Sequence, residues 1–386
     1  MPERIVYADC AATKPVSKRA LAAAMPYLTE EFGNPSSVYG AGLRAARALL
    51  DARRVITSLL GADVRELIFT SGGTEADALA ITGAAQLGAA AGKKHIITSA
   101  AEHHAVLECC KALEKQGFEV TYLPVDGEGR VSVEVLADSI RQNTALVSII
   151  HTNNEIGTIN PVAELAALCR SQGVLFHTDA VAAMDGTKIN VRELGADMLS
   201  FSGHKFGAMK GTGGLYVREG ISLPPLLRGG AQESGRRAGT ENVPAIVSMA
   251  EALKETREEL ENKAAAVAGM RDTLIGELLK IPGSRLNGAA DDRAIGNVNV
   301  SFEGIEGESL VLMLDMYGIQ ASSGSACTSS SPEPSHVLTA VGLTPALAKG
   351  SLRLTISSSN TPEDIDYIAK TVPLAVERLR SLSPSR

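Results

Sequence analysis

Tryptophan is absent, and aromatic residues together make up only 4 % of the 386 residues, so the chain has no obvious platform for stacking nucleobases. An excess of positive charge is missing too. Thirty-seven Lys and Arg stand against 44 Asp and Glu, a formal net charge of −7 with the signs interspersed, and no basic stripe offers itself to a phosphate backbone. Nucleic acid is therefore not expected as a direct ligand. No apolar run approaches the roughly eighteen residues of a membrane span, and the opening MPERIVYADC lacks the apolar region of a signal peptide. The expectation is a soluble, cytoplasmic protein without a membrane partner. Cysteine is scarce: Cys10, Cys109, Cys110, Cys169 and Cys327 are an odd set with no C-x-x-C spacing, which argues against a disulfide framework and against a zinc site. No bound metal is expected.

What the chain does have is length and order. At 386 residues it exceeds what one hydrophobic core usually holds, so one large domain and a smaller one are expected. Between about residues 60 and 220 short apolar runs alternate with helical patterns: ELIFT then TEADALAITGAAQ, KHIITS then HAVLECCKALEKQG, ALVSIIH then PVAELAALCRSQG, and VLFHT. Such alternation predicts crossover connections and a mostly parallel sheet covered on both faces, with ligands at the carboxyl ends of its strands. ADMLSFS and GGLYVRE read as a further strand pair. A long helical pattern from about Pro244 to Lys280, rich in Ala, Glu, Leu and Lys, reads as a solvated connecting helix. Beyond it, NVNVSFEG, a helix near Glu308 to Tyr317, GSLRLTIS and a final helix opened by Thr361 and Pro362 read as a smaller α+β domain.

Four segments carry chemistry. In IFTSGGTEADALAI a strand ends at Thr70, glycines turn the chain and Thr74 opens a helix, a combination that seats an anion such as phosphate, although a plain tight turn has the same pattern. Asp179 stands just past a buried strand and needs a cap donor or a cation. Ser202, His204 and Lys205 lie in the glycine-rich SFSGHKFGAMKGTGG, and a lysine in a desolvated crevice has a neutral amine able to condense with an aldehyde, whereas most lysines are merely exposed. The histidines of EHHAVL complete the set. Phosphate, ring nitrogen and aldehyde together describe pyridoxal phosphate. Cys327 sits apart from these, amid seven serines in IQASSGSACTSSSPEPS, a setting that suits an exposed, reactive thiol and equally a loop with an incidental one.

The chain resembles the cysteine desulfurases of the NifS/IscS type, members of the class V aminotransferase group with the type I pyridoxal-phosphate fold. ADCAATKPVS, FGNPSS, SGGTEADALAI, EHHAVL, NNEIGTINP, LFHTDAV, SFSGHKFGAMKG, GGAQESGRRAGTEN, SSGSACTS and SLRLT carry the likeness over nearly the whole length. The resemblance implies an α/β fold whose large domain, residues 15–261, holds a mostly parallel seven-stranded sheet, with residues 1–14 and 262–386 forming the small domain. It implies that Lys205 bonds to the cofactor aldehyde, Asp179 pairs the pyridine nitrogen, and His103 stacks on the ring as an acid/base with His104 as its neighbour. Gly73, Thr74, Ser202 and His204 would seat the phosphate, and Thr240 would reach it from the other subunit of a homodimer. Asn154, Arg353 and Asn34 would serve the substrate, Arg353 by two-pronged binding of its carboxylate. Free L-cysteine would become L-alanine, with sulfur left as a persulfide on Cys327 for an acceptor protein such as an iron–sulfur scaffold or a tRNA-thiolation protein. A cystine or cysteine-sulfinate lyase, another β-eliminating relative, and a weakly active sulfur-relay paralogue are the alternatives.

Some positions depart from the family pattern. Ala182 replaces the glutamine usual in D-A-x-Q, which removes a donor to the cofactor's phenolic oxygen. Cys10 replaces the asparagine of D-N-A-A-T, Tyr39 stands where histidine is common, and serines replace the glycine-containing SLG after SLRL.

Overall fold

The computed structural model describes residues 4–324 and 334–382; the expectation placed on Cys327 therefore lies outside the described residues. A short strand near the start, β1 (Val6–Tyr7), is followed by β2 (Leu67–Thr70), β3 (His95–Ser99), β4 (Glu119–Leu123), β5 (Thr144–Ser148), β6 (Leu175–Asp179), β7 (Met198–Ser202) and β8 (Gly213–Val217). The last seven form one sheet in the order β2-β8-β7-β6-β5-β3-β4, in which only β8 runs against the others. This is the expected mostly parallel sheet, with the ADMLSFS and GGLYVRE strands as an antiparallel pair. Strands β3, β5, β7 and β8 are buried along their whole length, as a sheet covered on both faces requires.

One face packs on the helices Gly73–Ala90 and His104–Glu114 through Ala76, Leu79, Ala80, Val106 and Cys110. The other is covered in two patches. Ile56, Ile246, Met249 and Leu253 meet Leu199, Phe201 and Tyr216, while Leu136, Val162, Leu165 and Cys169 meet Ile97, Val147 and Phe176. Local signals fix the element ends. Ser17 caps the helix Lys18–Thr29 by accepting from the Ala20 N–H at 3.1 Å, and Gly61, at φ 70°, ends the helix Gly40–Leu60 in the left-handed conformation that glycine adopts cheaply.

A separate core lies beyond. Strands β9 (Ser284–Leu286), β10 (Asn297–Phe302), β11 (Ile319–Gln320) and β12 (Ser351–Thr355) make an antiparallel sheet β12-β10-β9 and a parallel pair β1-β11. Val298, Val300, Leu352 and Leu354 pack there with Val6 and Ala8 and with Leu310, Ile365, Ile368 and Val372 from the helices Gly307–Met316 and Pro362–Leu382. The final helix begins with a reciprocal cap between Thr361 and Asp364.

The helix Val243–Leu278 is not the solvated connector that its composition suggests. Its first half buries Ile246, Met249 and Leu253 in one core and its second half buries Val267, Leu274 and Leu278 in the other. Its charges also make specific contacts. Glu255 accepts from Ser17 Oγ, Arg257 is buried and donates to the Thr187 carbonyl, and the i,i+4 pair that forms is Lys263 with Glu259. The double burial is hidden because a charged and mostly exposed middle, residues 258–266, separates the two buried stretches. Among the described residues no helix is long and apolar enough to cross a membrane.

Truncating either end of this helix should weaken the fold. Leu253→Ala and Leu274→Ala are each expected to cost about 2–5 kcal/mol, as buried leucine deletions do, read as a lower urea midpoint monitored by circular dichroism.

Candidate active site

The carboxyl ends of β2, β5, β6 and β7 open on a cavity of about 520 Å³ lined by Gly72, Gly73, Thr74, Asp77, His103, Asn154, Asp179, Ser202, His204, Lys205 and Arg353, among others. Nine of the sequence-derived candidates thus meet in one place: Gly73, Thr74, His103, Asn154, Asp179, Ser202, His204, Lys205 and Arg353. Thr240 does not join them; it lines a neighbouring cavity of about 190 Å³ with Ser71, Gly211, Arg237 and Glu241. Asn34 is exposed in the loop after Phe32, its side-chain oxygen accepting from the Ser36 N–H at 2.9 Å. His104 turns away and packs its ring 4.7 Å from that of His336.

At the mouth of β2 the chain turns through Gly72 into the helix Gly73–Ala90, whose first turn presents unpaired N–H groups to the cavity. Close approach explains the glycines. A Cβ on Gly73 would lie 2.6 Å from Val181 Cγ2, and one on Gly213 of β8 would lie 2.7 Å from the Gly72 Cα. Glu75 fastens the turn by accepting from the Ser71 N–H at 2.8 Å and pairing with Arg237 at 2.9 Å.

Lys205 stands in the short helical turn Gly203–Phe206 that follows β7, and its Nζ donates to the Ala11 and Ala12 carbonyls at 2.5 and 3.1 Å. His103 caps the helix His104–Glu114. Its Nδ1 accepts from the Ala105 N–H at 3.1 Å, which puts the proton of the neutral ring on Nε2. Burial, reinforced by the Lys205 charge, pushes its pKa down to about 4, and the same two causes take His204 to about 4. Both rings are neutral at pH 7.

Three carboxyl groups, Asp179, Glu102 and Asp77, are buried close to one another. Asp179, at the end of β6, accepts from the Val181 N–H at 2.8 Å; burial raises its pKa to about 6, against the pull of that hydrogen bond and of Lys205. Glu102 accepts from Ser99 Oγ at 2.6 Å and the Ile150 N–H at 3.0 Å, and burial pushes it up to about 8. Burial and the charge of Asp179 hold Asp77 well above the usual carboxylate range. Its neighbour His177, at 3.7 Å, is bracketed by Ser148 Oγ and Ser200 Oγ at 2.8 and 2.9 Å and is kept neutral by burial, so this contact is no ion pair. Burial thus favours the protonated form of both Asp77 and Glu102. Asp179 is left as the acid whose charge a cation in the cavity would stabilise.

Arg353, on β12, is 2 % exposed. Its Nη2 donates to Asp9 Oδ1 at 2.9 Å and its Nη1 to the Asn154 carbonyl at 3.1 Å, while Nε has no partner among the described residues. Asp77 and Asp9 are contributors that sequence reasoning missed. Asp77 lies three residues after Thr74, on the same helix face, and that spacing was a usable signal; Asp9 reaches Arg353 across 344 residues, and no local pattern announces it.

A side cavity of about 50 Å³ continues past Lys205 and is lined by Cys10, Ala182, Asp185, Asn297 and Ile356. The departures noted at positions 10 and 182 therefore meet. Burial raises the pKa of the Cys10 thiol. Cys10, Cys109, Cys110 and Cys169 are all unpaired by disulfides, and among the described residues no cluster of His, Cys, Asp and Glu is arranged to hold a metal ion.

Residues 6–368 match the family described as aminotransferase class-V. The chain belongs to this family. Within the class-V relatives, it is 51 % identical over 381 residues to a cysteine desulfurase IscS from Methanosarcina thermophila, covering 99 % of this chain and 94 % of the relative. It is 46 % identical to cysteine desulfurase IscS 1 from Archaeoglobus fulgidus, covering 98 % of each. Of the solved structures, a NifS-like protein superposes with a TM-score of 0.92 at 35 % identity, covering 97 % of this chain and all of that one. SspA in complex with cysteine does so at 0.80 and 35 % identity, covering 91 % and 98 %. The class-V fold and the cavity at its strand ends were both expected.

Glu102 gives the site a pH signature. Its folded pKa of about 8 lies above the ordinary 4.5, so the folded state holds a proton that the unfolded state releases, and stability is lost as pH rises from about 4.5 through about 8. Glu102→Gln in cofactor-free protein is expected to flatten the fall in melting temperature between pH 6 and pH 9; an unchanged slope would locate the titration elsewhere.

Proposed function

We propose that this protein is a pyridoxal-phosphate-dependent cysteine desulfurase that converts L-cysteine to L-alanine and leaves the sulfur as a persulfide on Cys327, for transfer to an acceptor protein. The observation that carries the reading is the convergence of Lys205, Asp179, His103 and Arg353 on one cavity that also opens on a helix N-terminus. The donor set fits the cofactor. The helix N-terminus, Thr74, Ser202 and His204 suit a phosphate, Asp179 a ring nitrogen, and Lys205 an aldehyde; the Gly73 cradle would be closed by any Cβ. The relatives named as cysteine desulfurases support the substrate and the sulfur chemistry.

In this scheme pyridoxal phosphate, when bound, supplies an electron-withdrawing ring that weakens the bonds at Cα and Cβ of an amino acid held on it. Asp179 would hold the ring nitrogen, and a proton there would favour its charged form against the effect of burial. His103, neutral and with its proton on Nε2, would exchange a proton with an amino acid held in the cavity. Arg353 offers its unpartnered Nε to the substrate carboxylate, and Asn154 lies beside it on the wall. The Cys327 thiolate attacks the substrate sulfur. The Cβ–S bond breaks as the S–S bond forms, Cβ takes up a proton, and cysteine plus enzyme thiol become alanine plus enzyme persulfide.

The domain division at residues 14/15 and 261/262 belongs to the same reading. It is supported by a core that unites Val6 and Ala8 with Val267, Val300 and Ile365 apart from the sheet cores. So does a homodimer, in which Thr240 and Asn34 would serve the neighbouring subunit's site. Exposed Leu21, Met25, Leu28, Phe32, Val38 and Leu43 on and between the first two helices support that pairing. An acceptor of the iron–sulfur scaffold or tRNA-thiolation kind and a cytoplasmic setting complete the proposal.

Product analysis tests it. Holoenzyme given L-cysteine and a thiol reductant is expected to release alanine and sulfide in equal amounts; pyruvate and ammonia without alanine would identify a β-eliminating lyase instead. Cys327→Ala is expected to abolish sulfur release, and His103→Ala to lower kcat by about 10²–10⁴-fold, the usual worth of a general acid/base.

A further inference from the structure

Arg353 is a buried cation, and a buried cation needs a counter-charge before any ligand arrives. The structure supplies one from outside the cavity. Asp9, on the N-terminal segment that lies beside β12, places Oδ1 2.9 Å from Arg353 Nη2, while its Oδ2 accepts from Ser322 Oγ at 2.8 Å. Asp9 is not on the cavity wall, whereas Arg353 is. Nη1 is occupied by the Asn154 carbonyl and Nε has no partner among the described residues. A carboxylate entering from the cavity would therefore be the second anion on one guanidinium.

We propose that Asp9 is a positioning residue that serves as the internal counter-ion of Arg353 and sets how tightly the site holds amino-acid carboxylates. This rests on the reading that Arg353 receives the substrate carboxylate. Asp9 steadies the guanidinium when the cavity holds no anion and repels the carboxylate that replaces water there. Its charge thus costs affinity for substrate and product alike, while the fold is spared an unpaired cation. Ser322 moderates the effect by taking part of the Asp9 charge into a hydrogen bond.

The test compares L-alanine with L-alaninamide, which lacks the carboxylate, on holoenzyme, by cofactor absorbance titration and by the shift in melting temperature. Wild type is expected to prefer the acid, and Arg353→Leu to erase that preference; no preference in wild type would sink the Arg353 reading itself, independently of Asp9. Given the preference, Asp9→Asn should tighten L-alanine by about tenfold, the scale of one charged hydrogen-bond partner, leave the amide unchanged, and enlarge the ligand-induced melting shift. Asp9→Glu should restore wild-type behaviour. Equal loss for acid and amide, or an unchanged ratio, would overturn the proposal. Should Asp9→Asn not fold, Ser322→Ala decides: a less neutralised Asp9 must weaken L-alanine and spare the amide, and any other outcome counts against it.

Discussion

The site depends on keeping one negative charge where three carboxyl groups are buried together. Asp77, Glu102 and Asp179 are buried close to one another, Asp77 and Asp179 on the wall of the cavity that Lys205 also lines, and three ionised acids there would repel one another strongly. The structure resolves this by environment. Glu102 is placed among donors too few to offset its desolvation, Asp77 is placed beside a neutral His177, and only Asp179 combines a backbone N–H with the field of Lys205. One acid whose charge is favoured by a backbone N–H and a lysine is what the proposed cofactor chemistry asks of the cavity wall.

The same economy of charge recurs at the wall. His103 and His204 are kept neutral by burial beside Lys205, and Arg353 is balanced from behind by Asp9. Arg353, which lines the cavity, thus has a counter-charge that does not, so a ligand that brings a carboxylate meets a guanidinium arranged in advance rather than one that must reorganise.

Much of this was legible in the chain. The alternation of β-rich runs with helical patterns gave the parallel sheet, and glycine with Thr74, the strand-end Asp179 and the glycine loop around Lys205 pointed to the cavity wall because each obeys a local rule. What was not legible is whatever depends on distance through space. Asp9 and Arg353 are partners because β12 and the first strand meet in the small core, and no periodicity records that. The long helix departs from its solvated reading because its two buried ends flank a charged, mostly exposed middle that dominates the local pattern. Asn34 and Thr240 sit off the main cavity of this chain, and for Thr240 that agrees with the expectation that it acts from a second subunit.

The side cavity beside Lys205 has a chemical consequence of its own. Its volume of about 50 Å³ is roughly that of one or two waters, and it exists where Ala182 is short and Cys10 is compact. A glutamine at position 182, as in a relative that keeps the family pattern, would take up part of that space. An inhibitor that carries a small alkyl branch past the lysine would therefore gain contacts in this protein and collide in such a relative, so that one missing side chain becomes a handle for selectivity between members of a family whose reacting groups are the same.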